Sequence, residues 1–323
     1  MPPSHKTALA LPLRNDHRLS VRQLECLVAV ADHLSFRRAA ATLGIAQPAL
    51  STHVATTEKL LRAQIFERDR RSVLITAVGR DVVGAARIAL AALDVVSDTA
   101  RAGSEPLTGP LRVGVIPTIA PYWLPALLPT VRQRFPSLML ILREDQTHRL
   151  LEQLGSGEID VALLALPVAG DFTAKAICDE EFVLAASRQH RPAARVRIHA
   201  ADLTSETMLL LEDGHCLRDQ ALAVCSAGGA APTMSVRATS LPTLIQMVAG
   251  DLGSTLLPEM SVPSLVPSKK SAITIERFAR PAPTRTLGLL WRTSSGRLKE
   301  FRLLGDTLAE RAAVVLKELR ATH

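Results

Sequence analysis

No stretch of this 323-residue chain approaches the roughly 18 to 20 uninterrupted apolar residues that a membrane-spanning helix needs, although 47% of its residues are hydrophobic. A membrane-spanning protein is therefore not expected. Cysteine is equally sparse. Cys26, Cys178, Cys216 and Cys225 are too few and too far apart for a disulfide scaffold, and no Cys/His spacing of the metal-binding kind occurs. Reduced thiols, with no metal and no cofactor, are the expectation. The N-terminus sets Lys6, Arg14 and Arg18 around a short ALALPL run but lacks the apolar core and cleavage site of an export signal, so the expected location is the cytoplasm.

Charge is present but unevenly placed. Lysine and arginine outnumber aspartate and glutamate 38 to 31, and of the resulting +7 the first 80 residues hold +6. A compact basic module ahead of a nearly neutral body is the distribution of a nucleic-acid binder that carries a separate sensing or oligomerising domain.

Residues 1–18 carry three prolines and no periodicity, which reads as a disordered extension. From Val21 the spacing of Leu24, Leu27, Val28 and Ala31 predicts a helix. A second helix is expected at Phe36 to Leu43, stopped by Gly44, and a third from Gln47 to about Leu61, with Pro48 tolerated in the first turn. Two short helices around a glycine-containing turn in a basic segment suggest a helix-turn-helix. IFERDRRSVLIT (65–76) follows with a basic tip between two apolar runs, as a β-wing would. Over 78–100, Val82, Ala86, Ala89, Leu93, Val96 and Ala100 alternate spacings of four and three, the seam of a paired helix. GSEPLTGP (103–110) reads as a hinge. Beyond it, short apolar strands alternate with helices, which implies a parallel sheet covered on both faces. A second comparable block runs from Glu181 to about Glu259, and the chain returns to the first near residue 285.

The segments LSVRQLECLVAVADHLSFRRAAATLGIAQPALSTHV and IFERDRRSVLITAVGR resemble the LysR-type transcriptional regulators. The resemblance runs from about Leu19 to the C-terminus. It implies a winged helix-turn-helix at 19–77 and a dimerisation linker helix at 78–104. It further implies a regulatory domain at 111–323, a two-subdomain α/β fold like that of periplasmic binding proteins. Subdomain I covers about 111–180 and 285–323, and subdomain II about 181–284. Gln47, Pro48, Ser51, Thr52 and His53 then lie early on a recognition helix, where side chains meet base edges in the major groove. Arg37, Arg38, Arg68, Arg70 and Arg71 are placed to reach phosphates. Three positions depart from the family pattern: Ala46 replaces a serine cap, Thr57 a buried leucine and Arg62 a glycine.

MLLLEDGHCLRDQALAVC (208–225) resembles the segment that peroxide-sensing members of this family carry. By that resemblance Cys216 is the peroxidatic thiol and Cys225 the resolving one. The residues support the role independently. Asp213 is placed to cap a helix starting near His215, which sets Cys216 in its first turn, where the dipole favours thiolate. His215 and Arg218 could add positive charge, while Glu212, Asp213 and Asp219 oppose it. Nine residues of continuous helix hold two Cα atoms about 13.5 Å apart along the axis and half a turn around it, whereas a disulfide needs them within roughly 7 Å. Oxidation must therefore break this helix. Thr118 and Thr147 follow the first two strands of the sensing domain, at the strand ends where open α/β sheets bind ligands. Their hydroxyls both donate and accept, which suits peroxide. Arg292 resembles a family arginine near the same site. Cys26 and Cys178 match nothing functional.

The expectation is thus a hydrogen-peroxide-sensing transcriptional activator that binds double-stranded DNA as a dimer of dimers. The family implies contacts with RNA polymerase and reset by glutaredoxin or thioredoxin. Peroxide would be consumed stoichiometrically, so the chain is not expected to be an enzyme. Two rivals keep part of the pattern: a regulator of the same fold answering a small metabolite, and a thiol peroxidase.

Overall fold

The computed structural model describes residues 19–68, 73–101, 106–191, 197–229, 237–267 and 271–322. The extension 1–18, the wing tip with Arg70 and Arg71, and the start of the hinge, 103–105, lie outside the described residues. The chain forms two units that divide between Asp94 and Val95.

In the first unit, helix α1 (Val21–His33) opens with a capping box. The Ser20 hydroxyl accepts from the Gln23 amide while the Gln23 side chain accepts from Ser20 N, which satisfies two otherwise orphaned groups. The Ser35 hydroxyl caps α2 (Phe36–Thr42) by accepting from the Arg38 amide, and Gly44, at φ 63°, makes the turn into α3 (Gln47–Leu61). Strands β1 (Phe66–Arg68) and β2 (Val73–Ile75) pair antiparallel as the wing. Glu58 Oε1 accepts the amides of both Ile65 and Phe66, tying the wing to α3. Leu27, Val30, Leu50, Val54 and Ile65 form the buried core. Phe36 meets Phe66 edge-on at 6.3 Å.

Each departure from the family pattern has a visible consequence. Ala46 leaves α3 without a side-chain cap. Thr57 is fully buried and donates its hydroxyl to the His53 carbonyl at 2.8 Å, so no polar atom is stranded. Arg62 ends α3 in the left-handed region at φ 51°, where glycine is the unstrained choice. Helix α4 (Ala77–Arg101) buries Val83 and Ala86 but leaves Ile88, Leu93 and Val96 exposed. The start of the apolar seam packs on its own unit, and its continuation does not.

The second unit runs β3 (Gly109–Val115), α5 (Ala120–Arg134), β4 (Leu138–Glu144), α6 (Thr147–Ser156), β5 (Val161–Leu166) and the 16-residue β6 (Phe172–Ser187). It continues with a 3-10 turn at Ala200–Ser205, β7 (Leu210–Leu211), α7 (Cys216–Ala227), β8 (Arg237–Ala238), α8 (Leu241–Ala249) and β9 (Thr255–Pro258). A second 3-10 turn at Glu259–Ser261 leads to α9 (Val262–Leu265), β10 (Ile273–Arg277), β11 (Thr284–Arg292) and α10 (Leu298–Thr322). The main sheet has the order β10-β6-β11-β5-β3-β4, with β9 also paired to β6.

The expected parallel sheet holds only for β3, β4 and β5; β11, β9 and β10 all run antiparallel to their neighbours. The reason is β6. Its first part pairs with the returning β11 and its last part with β9 and β10, so a single strand crosses between the two halves of the α/β fold. Nor is the sheet covered throughout, because β4 is an edge strand with Met139, Ile141 and Leu142 exposed. The MLLLE segment contributes only the two-residue β7, paired to β8. Among the described residues no helix is long and apolar enough to cross a membrane.

Candidate functional site

Cys216 is the first residue of α7, with His215 at the cap. Gly214, at φ 94°, makes the turn that brings the chain into the helix. A Cβ at Gly214 would lie 2.7 Å from Gln146 Oε1, so its bareness also lets the loop before α6 close against the loop before α7. Gln146 caps α6 from its backbone, and Thr147 follows as the first helical residue. This apposition of two helix starts brings Thr147 to Cys216.

The Asp213 cap expected from sequence is not formed. No side chain caps α7; Asp213 instead pairs with Arg218 at 3.0 Å, and Arg218 also donates to the Leu211 carbonyl. Arg218 therefore braces the entry loop. His215 is buried, and burial pulls its pKa below the usual imidazole value against the opposing pull of Glu212. Burial thus disfavours its charged form, which makes it a poor source of positive charge for the sulfur.

The cation at the site is Arg285, which the sequence reading passed over in favour of Arg292. Arg292 spends its guanidinium on the carbonyls of Leu154 and Ile159, bracing the end of α6. Arg285 lies seven residues earlier on β11. The β6–β11 register sets it directly opposite Glu180, and the two form an ion pair at 2.8 Å with both side chains 0% exposed. Arg285 also donates to Thr118 Oγ1 and to the Thr118 carbonyl, each at 3.0 Å. Because arginine only donates, it occupies an acceptor site of the Thr118 hydroxyl and leaves that hydroxyl's proton free to be given elsewhere. The second carboxylate oxygen of Glu180 accepts the Met260 amide. A signal for Arg285 was present in TRTLGLLWR, where it shares its strand face with Leu287, Leu289 and Trp291, because a charge on a buried face demands a partner.

Cys216 thus sits among groups that favour thiolate and a burial that opposes it. Burial dominates and pushes the thiol above its ordinary value; Arg285, the Thr147 hydroxyl and the Leu217 amide pull it down, and Asp219 adds a small upward push. The Thr147 hydroxyl is buried and finds no hydrogen-bond partner of good geometry among the described residues. Cys225 is fully buried on the face of α7 formed with Leu217 and Ala221, and burial raises its pKa as well. All four cysteines are free thiols. Burial, with Glu180 adding to it, pushes the Cys178 thiol up to about 12.

In the first unit, Arg37, Arg38, Gln47, Pro48 and Thr52 are exposed, while Ser51 and His53 are half-buried. Thr52 donates to the Pro48 carbonyl and Arg38 to the His33 carbonyl, so these two groups hold local backbone when DNA is absent. Arg68 closes β1.

A winged helix-turn-helix followed by an α/β sensing fold defines a DNA-binding transcriptional regulator. The chain belongs to the LysR family. Residues 21–80 match the bacterial regulatory helix-turn-helix protein, lysR family, and residues 104–313 match the LysR substrate binding domain. The chain is 40% identical over 294 residues to the DNA-binding transcriptional dual regulator OxyR of Escherichia coli (strain K12), spanning 91% of this chain and 96% of that one. It is similar in structure to a full-length cysteine-to-aspartate variant of OxyR from Pseudomonas aeruginosa, with a TM-score of 0.78 and 34% identity over 90% of this chain and 95% of the other. It is also similar to a cysteine-to-serine variant of Corynebacterium glutamicum OxyR with H2O2 bound, with a TM-score of 0.66 and 34% identity, covering 95% and 97% of the two chains.

Proposed function

We propose that this protein is a hydrogen-peroxide-sensing activator of transcription in which Cys216 is the peroxidatic thiol and Cys225 the resolving one. The observation that carries the reading is the set of hydrogen-bonding groups gathered around the sulfur. The buried Thr147 hydroxyl beside Cys216, the Arg285 guanidinium and the Thr118 hydroxyl that it holds supply both acceptors and donors, which suits a small ligand that is both. Relatives spanning most of the chain are named as hydrogen peroxide-inducible genes activators.

The chemistry balances simply. The Cys216 thiolate attacks one peroxide oxygen, the O–O bond breaks, and the leaving hydroxide takes a proton to become water, leaving sulfenic acid. The Cys225 thiol then displaces the sulfenic hydroxyl as a second water and forms the disulfide. A Thr118 proton given to the departing oxygen, and Arg285 beside it, stabilise the charge that develops there. Each cycle consumes one peroxide, so the chain acts as a switch. Arg37, Arg38, Arg68, Arg70 and Arg71 on phosphates, and Gln47, Pro48, Ser51, Thr52 and His53 at base edges, compose the DNA-binding face. The exposed seam of α4 supports dimers, paired further into tetramers, and the same reading places the protein in the cytoplasm, working with RNA polymerase and reset by glutaredoxin or thioredoxin.

The test is to treat reduced protein with low peroxide and follow promoter footprints and thiol state in wild type, Cys216→Ser and Cys225→Ser. The response is lost in Cys216→Ser with DNA affinity retained. An unchanged response in that variant refutes the reading, and repeated turnover of peroxide would make the chain a peroxidase.

A further inference from the structure

Glu180 has no place in the mechanism above, yet it is a fully buried carboxylate in direct contact with the cation that serves Cys216. Its oxygens are filled from two sides, one by Met260 N and the other by Arg285. Only an acceptor at both ends satisfies this arrangement, which a carboxylate does and an amide does not.

We propose that Glu180 is the resting counter-ion of Arg285 and competes with the Cys216 thiolate for it, setting how readily the sensor ionises. The argument is a count of buried charge. With Cys216 as thiol, Arg285 and Glu180 cancel. Ionising the thiol leaves the buried group with a net negative charge, which a low-dielectric interior resists. Replacing Glu180 by glutamine inverts the balance: the thiol form holds an uncompensated guanidinium, and the thiolate form is neutral. Thr118 keeps Arg285 in place through two hydrogen bonds that do not involve Glu180. Among the described residues Asp219, on the same helix, also faces the sulfur and is unchanged by the substitution, and the Cys178 thiol shares Arg285 and Glu180. Glu180 is thus a positioning and tuning residue that keeps the thiol quiet until a ligand is bound.

The proposal rests on Cys216 as the reactive thiol, and its test is independent of peroxide. The ionisation of Cys216 is followed by thiolate absorbance and by the pH dependence of iodoacetamide alkylation, in the full chain with the other three cysteines replaced by serine or alanine. In Glu180→Gln the midpoint falls by at least one pH unit. One unit gives about tenfold more thiolate, but the less basic sulfur is a poorer nucleophile, with a Brønsted slope of about 0.4 to 0.5, so alkylation at pH 7 rises about threefold. Glu180→Asp, which keeps the charge, leaves the midpoint within half a unit of wild type. An unchanged or raised midpoint in Glu180→Gln, or an equal fall in Glu180→Asp, overturns the proposal. Wild type offers a check that needs no Glu180 substitution: its midpoint lies above that of an ordinary thiol, and a midpoint below 7 would mean that the charge of Arg285 is not already taken. Failure of the peroxide response with these shifts present would instead count against the peroxide reading.

Discussion

Joining Cys216 to Cys225 dismantles the helix that carries both, and the cost sets how oxidising the disulfide is. Helix α7 is continuous from Cys216 to Ala227, so the Cα atoms must close from about 13.5 Å of axial separation to within roughly 7 Å. Shortening on that scale breaks four to six backbone hydrogen bonds at about 1 kcal/mol each. It also disturbs the burial of Leu217, Ala221 and Cys225, of which Leu217 alone is worth roughly 1.5 to 3 kcal/mol. With partial repacking the oxidised form bears roughly 5 to 10 kcal/mol of lost native structure. For a two-electron couple 30 mV corresponds to about 1.4 kcal/mol, so a disulfide that would otherwise sit near −300 mV is raised to roughly −200 to −100 mV. Equilibration in glutathione redox buffers, with thiols trapped by alkylation and counted by mass, measures the potential, and far-ultraviolet circular dichroism records the loss of about two turns of helix. A potential below −300 mV, or a formed Cys216–Cys225 bond with the helix signal intact, refutes the reasoning.

Three further outcomes follow from particular residues. Arg62→Gly relieves the left-handed conformation at the end of α3, and after the entropy cost of glycine it raises the stability of the first unit by about 0.5 to 1 kcal/mol; a lower midpoint in thermal denaturation would contradict this. Gly214→Ala strains a residue at φ 94° and drives a Cβ against Gln146, so it destabilises the second unit by about 1 to 3 kcal/mol and changes the Cys216 alkylation rate, whereas unaltered stability and rate would show that the loop yields freely. His215 has its pKa lowered by burial, so the unfolded chain binds the extra proton first. Its contribution to stability is therefore fully present above the ordinary histidine value of about 6.5 and is lost as pH falls from there toward the folded pKa. Urea midpoints between pH 7.5 and 5.5 fall more steeply in wild type than in His215→Gln, and parallel curves would rule this out.

The DNA-binding unit was legible because its signals are local. A glycine turn, a proline in a first turn and an apolar periodicity each act within a few residues, and α1, α2 and α3 begin where those signals place them. That the two cysteines lie nine residues apart on one helix was legible for the same reason, whereas their roles were suggested by the resemblance of the segment around them. What escaped was decided by strand register. Arg285 and Glu180 are 105 positions apart, and nothing near either residue says that β6 and β11 will pair with these two opposite each other. The chain also contains Arg292 at the other end of the same strand, equally basic and equally plausible, until the sheet turns it onto the carbonyls of Leu154 and Ile159.

Sequence alone therefore determined the order of the modules and the impossibility of a disulfide within an intact α7, since both follow from spacing along the chain, while the proposal of Cys216 as the reactive thiol rests on the resemblance of its segment. Tertiary structure decided which cation the thiol sees, that this cation already has a partner, and that burial holds Cys216 above its ordinary pKa. The physical reason is that ionisation depends on every charge and dipole within several ångströms and on the absence of water, and those neighbours are brought together by folding, not by sequence proximity.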